Sequence, residues 1–180
     1  MKKFNNKFLR NILFILSCCL FFSCQNKTKA HFKSPIDSLS FLLKQDDSNI
    51  SLLTKRAQEY IKVDKFSLSK NDIDHAYDIL KNDSELLLTR GELYFILNKT
   101  RISKESWERC LKLDPNNLKC REKLTNLFCV VKDSKCKLMI DTLALINDGL
   151  IPNSLIVYLK ESDEYELAID LLNNRIKKFP

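Results

Sequence analysis

The chain has 180 residues, 30 of them Lys or Arg and 23 Asp or Glu, which leaves room for one domain and a short leader. Only two glycines and four prolines occur, and strand-like alternation is scarce, so helices joined by short polar turns are the expected elements. Four of the 30 cations fall in the first ten residues, leaving 26 basic against 23 acidic groups beyond them; that mild, mixed balance argues against a nucleic-acid face, which needs clustered cations.

The opening MKKFNNKFLR carries no acidic residue, and NILFILSCCLFFS follows it as an apolar run. A basic n-region before an apolar h-region is the layout of a secretory signal. The run is shorter than the roughly 20 apolar residues of a membrane span. An uncleaved anchor helix is the competing reading, and the Ser-Cys junction, unlike a stop-transfer pattern, weighs against it. Leu20-Phe21-Phe22-Ser23-Cys24 resembles the lipobox of bacterial lipoproteins. Ser23 and Cys24 fit that pattern, whereas Phe21 and Phe22 are bulkier than it prefers. Ile15-Leu16-Ser17-Cys18 is a rival with a shorter h-region. The resemblance implies a signal peptide over 1–23 and lipid on Cys24. It further implies attachment in the cell envelope, at an outer membrane facing the periplasm. Gln25 after the Cys fits that location. The polar, lysine-rich QNKTKAHFKS then suits a flexible tether over 24–35.

SPIDSLSFLLKQDDSN reads as one helix ahead of a repeat domain spanning 36–180. From Ile50 the chain repeats. LLTKRAQEY, starting at Leu52, lies over LLLTRGELY, starting at Leu86, an offset of 34. Arg56 meets Arg90, Ala57 meets Gly91, Tyr60 meets Tyr94, Ser69 meets Ser103 and Ile73 meets Trp107. A fixed period of this length signals a stacked helical array rather than a compact enzyme core. Counted from Ile50, Ala57, Tyr60, Ser69, Ile73 and Ala76 take positions 8, 11, 20, 24 and 27; counted from Ser84, Gly91, Tyr94, Ser103, Trp107 and Cys110 take the same ones, and Pro115 falls at 32.

These residues resemble the tetratricopeptide repeat (TPR), a 34-residue helix–turn–helix unit. Its small residues let helices approach closely, and its large apolar ones fill the gaps between them. A third unit from Leu118 has Leu124, Phe128 and Ala144 in register, while Thr125, Lys137 and Asp141 depart at positions 8, 20 and 24. Gly149 is expected to cap the third unit's last helix. A fourth unit, with Ala168, Leu172 and Pro180 at 20, 24 and 32, starts at Gly149, so the third is about three residues short. Arg175 departs from the small-residue rule at 27, as at an open end. The expected fold is all-α: a TPR-type helical-hairpin solenoid of three to four repeats with an extra N-terminal helix. Helices are expected over 36–45, 51–63, 67–80, 85–97, 101–113, 119–131, 135–147, 152–161 and 164–178. Gly91 at a helix contact predicts that Leu there is destabilising, whereas Ala is expected to stabilise by about 1 kcal/mol through helix propensity.

The resemblance also implies where a partner would bind. In TPR proteins the first helix of each unit lines a concave face, through positions 2, 5, 6, 9, 12 and 13. The first unit then contributes Lys55, Gln58 and Lys62. The second contributes Glu85, Thr89, Glu92 and Phe95, and the third Lys119, Lys123 and Asn126. Lys119 and Lys123 match cations of the carboxylate clamp found in some members. Thr54 and Gln58 stand where that clamp has Lys and Asn, so its specificity does not carry over. The implied partner is a protein or peptide with acidic groups around an apolar anchor. The membrane is reached only through lipid on Cys24. A structural role in an envelope assembly is the alternative.

Catalytic chemistry is not apparent. His31 and His75 lie 44 residues apart, without a second ligand at zinc spacing. No Gly-rich phosphate loop occurs, and no cofactor or small-molecule substrate is implied. Cys110, Cys120, Cys129 and Cys136 lack a CxxC pair. They are either small buried apolar residues or, in an exported domain, disulfide formers.

Overall fold

A computed structural model describes residues 32–179; the signal segment, Cys24 and residues 24–31 of the expected tether lie outside the described residues. Within them the chain forms nine helices and no strand. These are α1 (Pro35–Leu43), α2 (Ile50–Lys62), α3 (Phe66–Ile79), α4 (Ser84–Ile96), α5 (Thr100–Leu113), α6 (Leu118–Val130), α7 (Cys136–Ile146), α8 (Asn153–Glu161) and α9 (Tyr165–Lys178). Each bound falls within two residues of its sequence expectation. The helices pair as hairpins, α2 with α3, α4 with α5, α6 with α7 and α8 with α9, and α1 packs on α2.

Local chemistry repeats with the period. Asn49, Asp83 and Asn117 cap α2, α4 and α6, their side-chain oxygens accepting from the amides of Leu52, Leu86 and Cys120 at 3.1, 2.8 and 3.0 Å. Each cap satisfies one amide that the first helical turn leaves free. Within every hairpin, one residue turns left-handed to stop the first helix: Asp64 (φ 57°), Asn98 (φ 57°), Lys132 (φ 53°) and Asp163 (φ 60°). The next amide bonds back to a carbonyl five residues earlier, as Lys65 does to Tyr60 at 2.9 Å and Asp133 to Phe128 at 2.9 Å. That bond is the Schellman closure of a helix end. Asp148 (φ 51°) closes α7 in the same way, the amide of Gly149 lying 2.7 Å from the Ala144 carbonyl; Gly149, expected to be the cap, stands one place later and is itself left-handed (φ 77°). Asp163 follows Lys132 by 31 residues where the others are 34 apart, which locates the shortening of the third unit.

Left-handed backbone suits Asn and Asp far better than Lys, because their short side chains bond locally. Lys132→Gly is therefore expected to stabilise the domain by about 1 kcal/mol, and Asn98→Gly by less. Thermal unfolding of both variants checks this; an equal or reversed order would mean that the turn does not strain Lys132.

Three apolar clusters run along the array. The first includes Leu43, Leu53, Ala57, Ile73 and Ala76. The second includes Leu87, Trp107, Cys110, Cys120 and Phe128. The third includes Cys129, Ile140, Leu143, Leu155 and Leu171. Tyr77 packs against both the first and the second. In the second unit the Trp107 indole lies across Gly91 and donates its N–H to the Leu88 carbonyl at 3.2 Å. A Cβ built on Gly91 would sit 2.5 and 2.6 Å from indole Cε2 and Cδ1. The expected gain from Ala at this position is thereby corrected: no methyl fits.

Polar groups repeat as well. Arg56 donates twice to Asp72, both bonds 2.7 Å, and Arg90, one period later, donates to the Ser106 hydroxyl at 2.7 Å. The Asp72 carboxylate raises the Arg56 pKa against the opposing effect of burial. Lacking a carboxylate at the matching place, Arg90 instead stacks over the Tyr77 ring, 4.3 Å from its centre.

The later units depart from the register in one way. Thr125, expected to fit poorly at position 8, is fully buried, its hydroxyl donating to the Arg121 carbonyl at 2.8 Å. At position 24, Asp141 and Leu172 are exposed, and Ile140 and Leu171, one residue earlier, fill the core instead. Position 23 holds Asp72 and Ser106 in the first two units but large aliphatic residues in the last two. A helix turns its apolar face inward, so α7 and α9 are rotated by about one residue. Arg175 is exposed and donates to Asn153. The four cysteines of the described residues are buried or half-buried and also bonded: Cys110–Cys120 joins α5 to α6, and Cys129–Cys136 joins α6 to α7.

Candidate functional site

The first helices of three successive units, α2, α4 and α6, bond to one another through side chains. Gln58 on α2 donates to Thr89 at 2.9 Å and to Glu85 at 3.3 Å on α4. Glu92 on α4 pairs with Lys123 on α6 at 2.9 Å. These cross-links hold the three helices as one surface, as a stacked array requires.

Two adjoining hollows open on it. The larger, about 630 Å³, is lined by Gln58, Lys62, Glu85, Leu88 and Lys119 among others. The smaller, about 230 Å³, is lined by Phe95, Ile96, Trp107, Lys123 and Asn126. Ile61 and Glu92 border both. The floor of the smaller hollow is aromatic: the Phe95 and Trp107 rings lie 5.8 Å apart at a 49° tilt.

Eight of the ten residues named from the repeat register line these hollows: Gln58, Lys62, Glu85, Glu92, Phe95, Lys119, Lys123 and Asn126. Lys55 is exposed but lines neither. Thr89 is buried, and its hydroxyl also bonds the Glu85 carbonyl at 2.9 Å, so it is structural.

The electrostatics differ from a simple cationic face. Glu92 neutralises Lys123, and Glu59 engages Lys62 at 2.6 Å. Lys119 makes no ion pair among the described residues and is exposed. Glu85, on α4, is exposed and also lines the larger hollow. The site therefore presents separated charges of both signs beside an apolar floor.

Attention to polar side chains passes over Ile61 and Leu88, although they stand at repeat positions 12 and 5 of the inner-face pattern. Trp107 belongs to the core by register and is 1% exposed, yet its edge closes the smaller hollow. Among the described residues no group of His, Cys, Asp or Glu is arranged to hold a metal. The arrangement is suited to binding an extended chain: apolar wells for side chains, flanked by charges and by the Asn126 amide.

No family model matches the chain. A curated relative, RNA polymerase II-associated protein 3 of Homo sapiens, is 28% identical over 96 residues, 53% of this chain and 14% of the relative. The chain thus spans about one-seventh of that protein's length. Among solved structures it is similar to MamA, with a TM-score of 0.67 at 15% identity over 79% of this chain and 85% of that one. A tetratricopeptide repeat protein from Parabacteroides merdae superposes with a TM-score of 0.66 at 16% identity, over 81% and 59% of the two chains. YrrB, described as a TPR protein with an unusual peptide-binding site, gives 0.62 at 13% identity over 81% and 76%. These likenesses establish the TPR-type solenoid as the fold.

Proposed function

We propose that this protein is an interaction module of the bacterial cell envelope, tethered by lipid on Cys24, which grips an extended segment of a partner protein along α2, α4 and α6. The observation that carries the reading is the pair of joined hollows, which bring Ile61, Phe95, Ile96 and Trp107 together with Lys119, Lys123, Glu85 and Glu92. Buried aromatic surface supplies affinity, and the rim charges supply steering and register. The peptide-binding description of YrrB, a structural neighbour, supports the same use of the fold. Two disulfides support residence in an oxidising compartment such as the periplasm, in keeping with the lipobox-like Ser23-Cys24.

Reversing Lys119 and Lys123 to Glu tests the groove. It breaks the Glu92 pair and replaces two cations of the groove on α6 with carboxylates. Crosslinking in the native envelope followed by mass spectrometry identifies the captured partner. The double variant is expected to bind that partner at least about tenfold more weakly, a loss of about 1.4 kcal/mol, with helicity retained. Lys112→Glu on α5 is expected to leave capture intact. If Lys112→Glu abolishes capture and the double variant does not, binding runs through another face, as in a structural subunit of an envelope assembly.

The anchor is tested separately. Cys24→Ala is expected to block signal cleavage and fatty-acid labelling, because lipoprotein attachment supplies the two or more chains that stable anchoring needs. Normal labelling and maturation of that variant would move the site to Cys18.

A further inference from the structure

The outer face of α9 is apolar. Tyr165, Ile169, Leu172, Ile176 and Phe179 are 50, 55, 40, 64 and 62% exposed, although Ala168 and Leu171 of the same helix are buried in the third cluster. Within α9 the first four are spaced four, three and four residues apart, as in the seam of a two-helix coiled coil, and Phe179 follows just past the helix end. Scattered exposed apolar residues are ordinary, but a continuous seam marks a contact surface.

The flank of this seam is polarised. Glu166, Asp170, Asn173 and Lys177 follow one another along it, acidic at the start of the helix and basic at its end. Glu166, Asp170 and Lys177 make no ion pair among the described residues. Two parallel copies of α9 would set Glu166 beside Glu166 and Lys177 beside Lys177. Two antiparallel copies bring Glu166 of each against Lys177 of the other and pack Ile169 against Leu172. This arrangement is self-complementary, as a two-fold interface must be.

We infer that α9 is a self-association surface, and that its occupant is the α9 of a second copy of this chain, antiparallel about a two-fold axis. One helix face is small beside the surfaces that stable dimers bury, so the dimer is weak. Pairing through α9 leaves α2, α4 and α6 uncovered, and each dimer displays two grooves.

A benzophenone amino acid replacing Leu172 in the full chain tests this. Illumination is expected to give a product of twice the chain mass. The same probe at Leu145 on α7, 83% exposed, is expected to give none. Lys177→Glu should reduce the product several-fold without moving the unfolding midpoint, and Lys177→Glu combined with Glu166→Lys should restore it. A Leu172 crosslink to lipid or to a different protein, or no product of double mass, overturns the proposal. An unchanged yield with Lys177→Glu overturns the antiparallel pairing.

Discussion

Reduction of the two disulfides is expected to lower the stability of the helical domain by about 5 kcal/mol, near 2.5 kcal/mol for each closed loop by the chain-entropy relation. The loops are short, with sequence separations of 10 and 7. Their placement adds to the effect. Cys120 and Cys129 lie near opposite ends of α6, so one helix is tied at one end to α5 and at the other to α7. α6 forms the third wall of the groove through Lys119, Lys123 and Asn126. In a domain of this size the loss corresponds to a fall of roughly 10–20 °C in the unfolding midpoint. Thermal unfolding with and without a thiol reductant measures it. The pair Cys110→Ser and Cys120→Ser should cost more than Cys129→Ser and Cys136→Ser, since both Sγ atoms of the first bridge lie in fully buried residues while Cys136 is half-buried. A midpoint indifferent to reductant would remove the bridges from the account of stability.

Gly91→Ala is expected to destabilise by about 2 kcal/mol, against the usual gain for Ala within a helix. The added methyl meets an indole that cannot retreat: Trp107 is 1% exposed and bonded to the Leu88 carbonyl. Gly91→Leu should cost more still. The first unit suggests the compensating change, for there Ala57 and Ile73 hold the same two positions and share one buried cluster. Adding Trp107→Ile to Gly91→Ala should therefore recover part of the loss, a coupling that a double-mutant cycle reads directly. Strict additivity of the two changes would show that the contact is not the cause.

These cases mark how far the sequence is legible. Two copies with small and large residues at matching places carry the hairpin architecture and the helix bounds, because the packing that stacks repeats demands those sizes. The sequence also places Gly91 at a close contact. It does not reveal how close, since helix propensity and steric room are separate quantities and only coordinates hold the second. The shift from Asp141 to Ile140 and from Leu172 to Leu171 was hidden for a related reason. The register was carried over from the first two units, whereas the interior follows whichever adjacent residue is apolar. Groove residues were readable as positions on a helix face. The Glu92–Lys123 pair was not, because it joins two units and depends on how side chains meet across them. Spacing alone left the cysteines open between bonded and merely buried, and both descriptions apply.

The division of the interior into three clusters sets how the molecule breathes. Each cluster lies among neighbouring helices; Tyr77 packs against both the first and the second, whereas the third is built from residues of α6 to α9. Opening in such a row proceeds by neighbours rather than all at once. Backbone amides of α8 and α9 should accordingly exchange with deuterium faster than those of α4 and α5, which enclose Trp107. Protection should rise from α7 inward, where the first bridge is met. A protease acting on the native protein would then trim α8 and α9 first and leave the binding face standing.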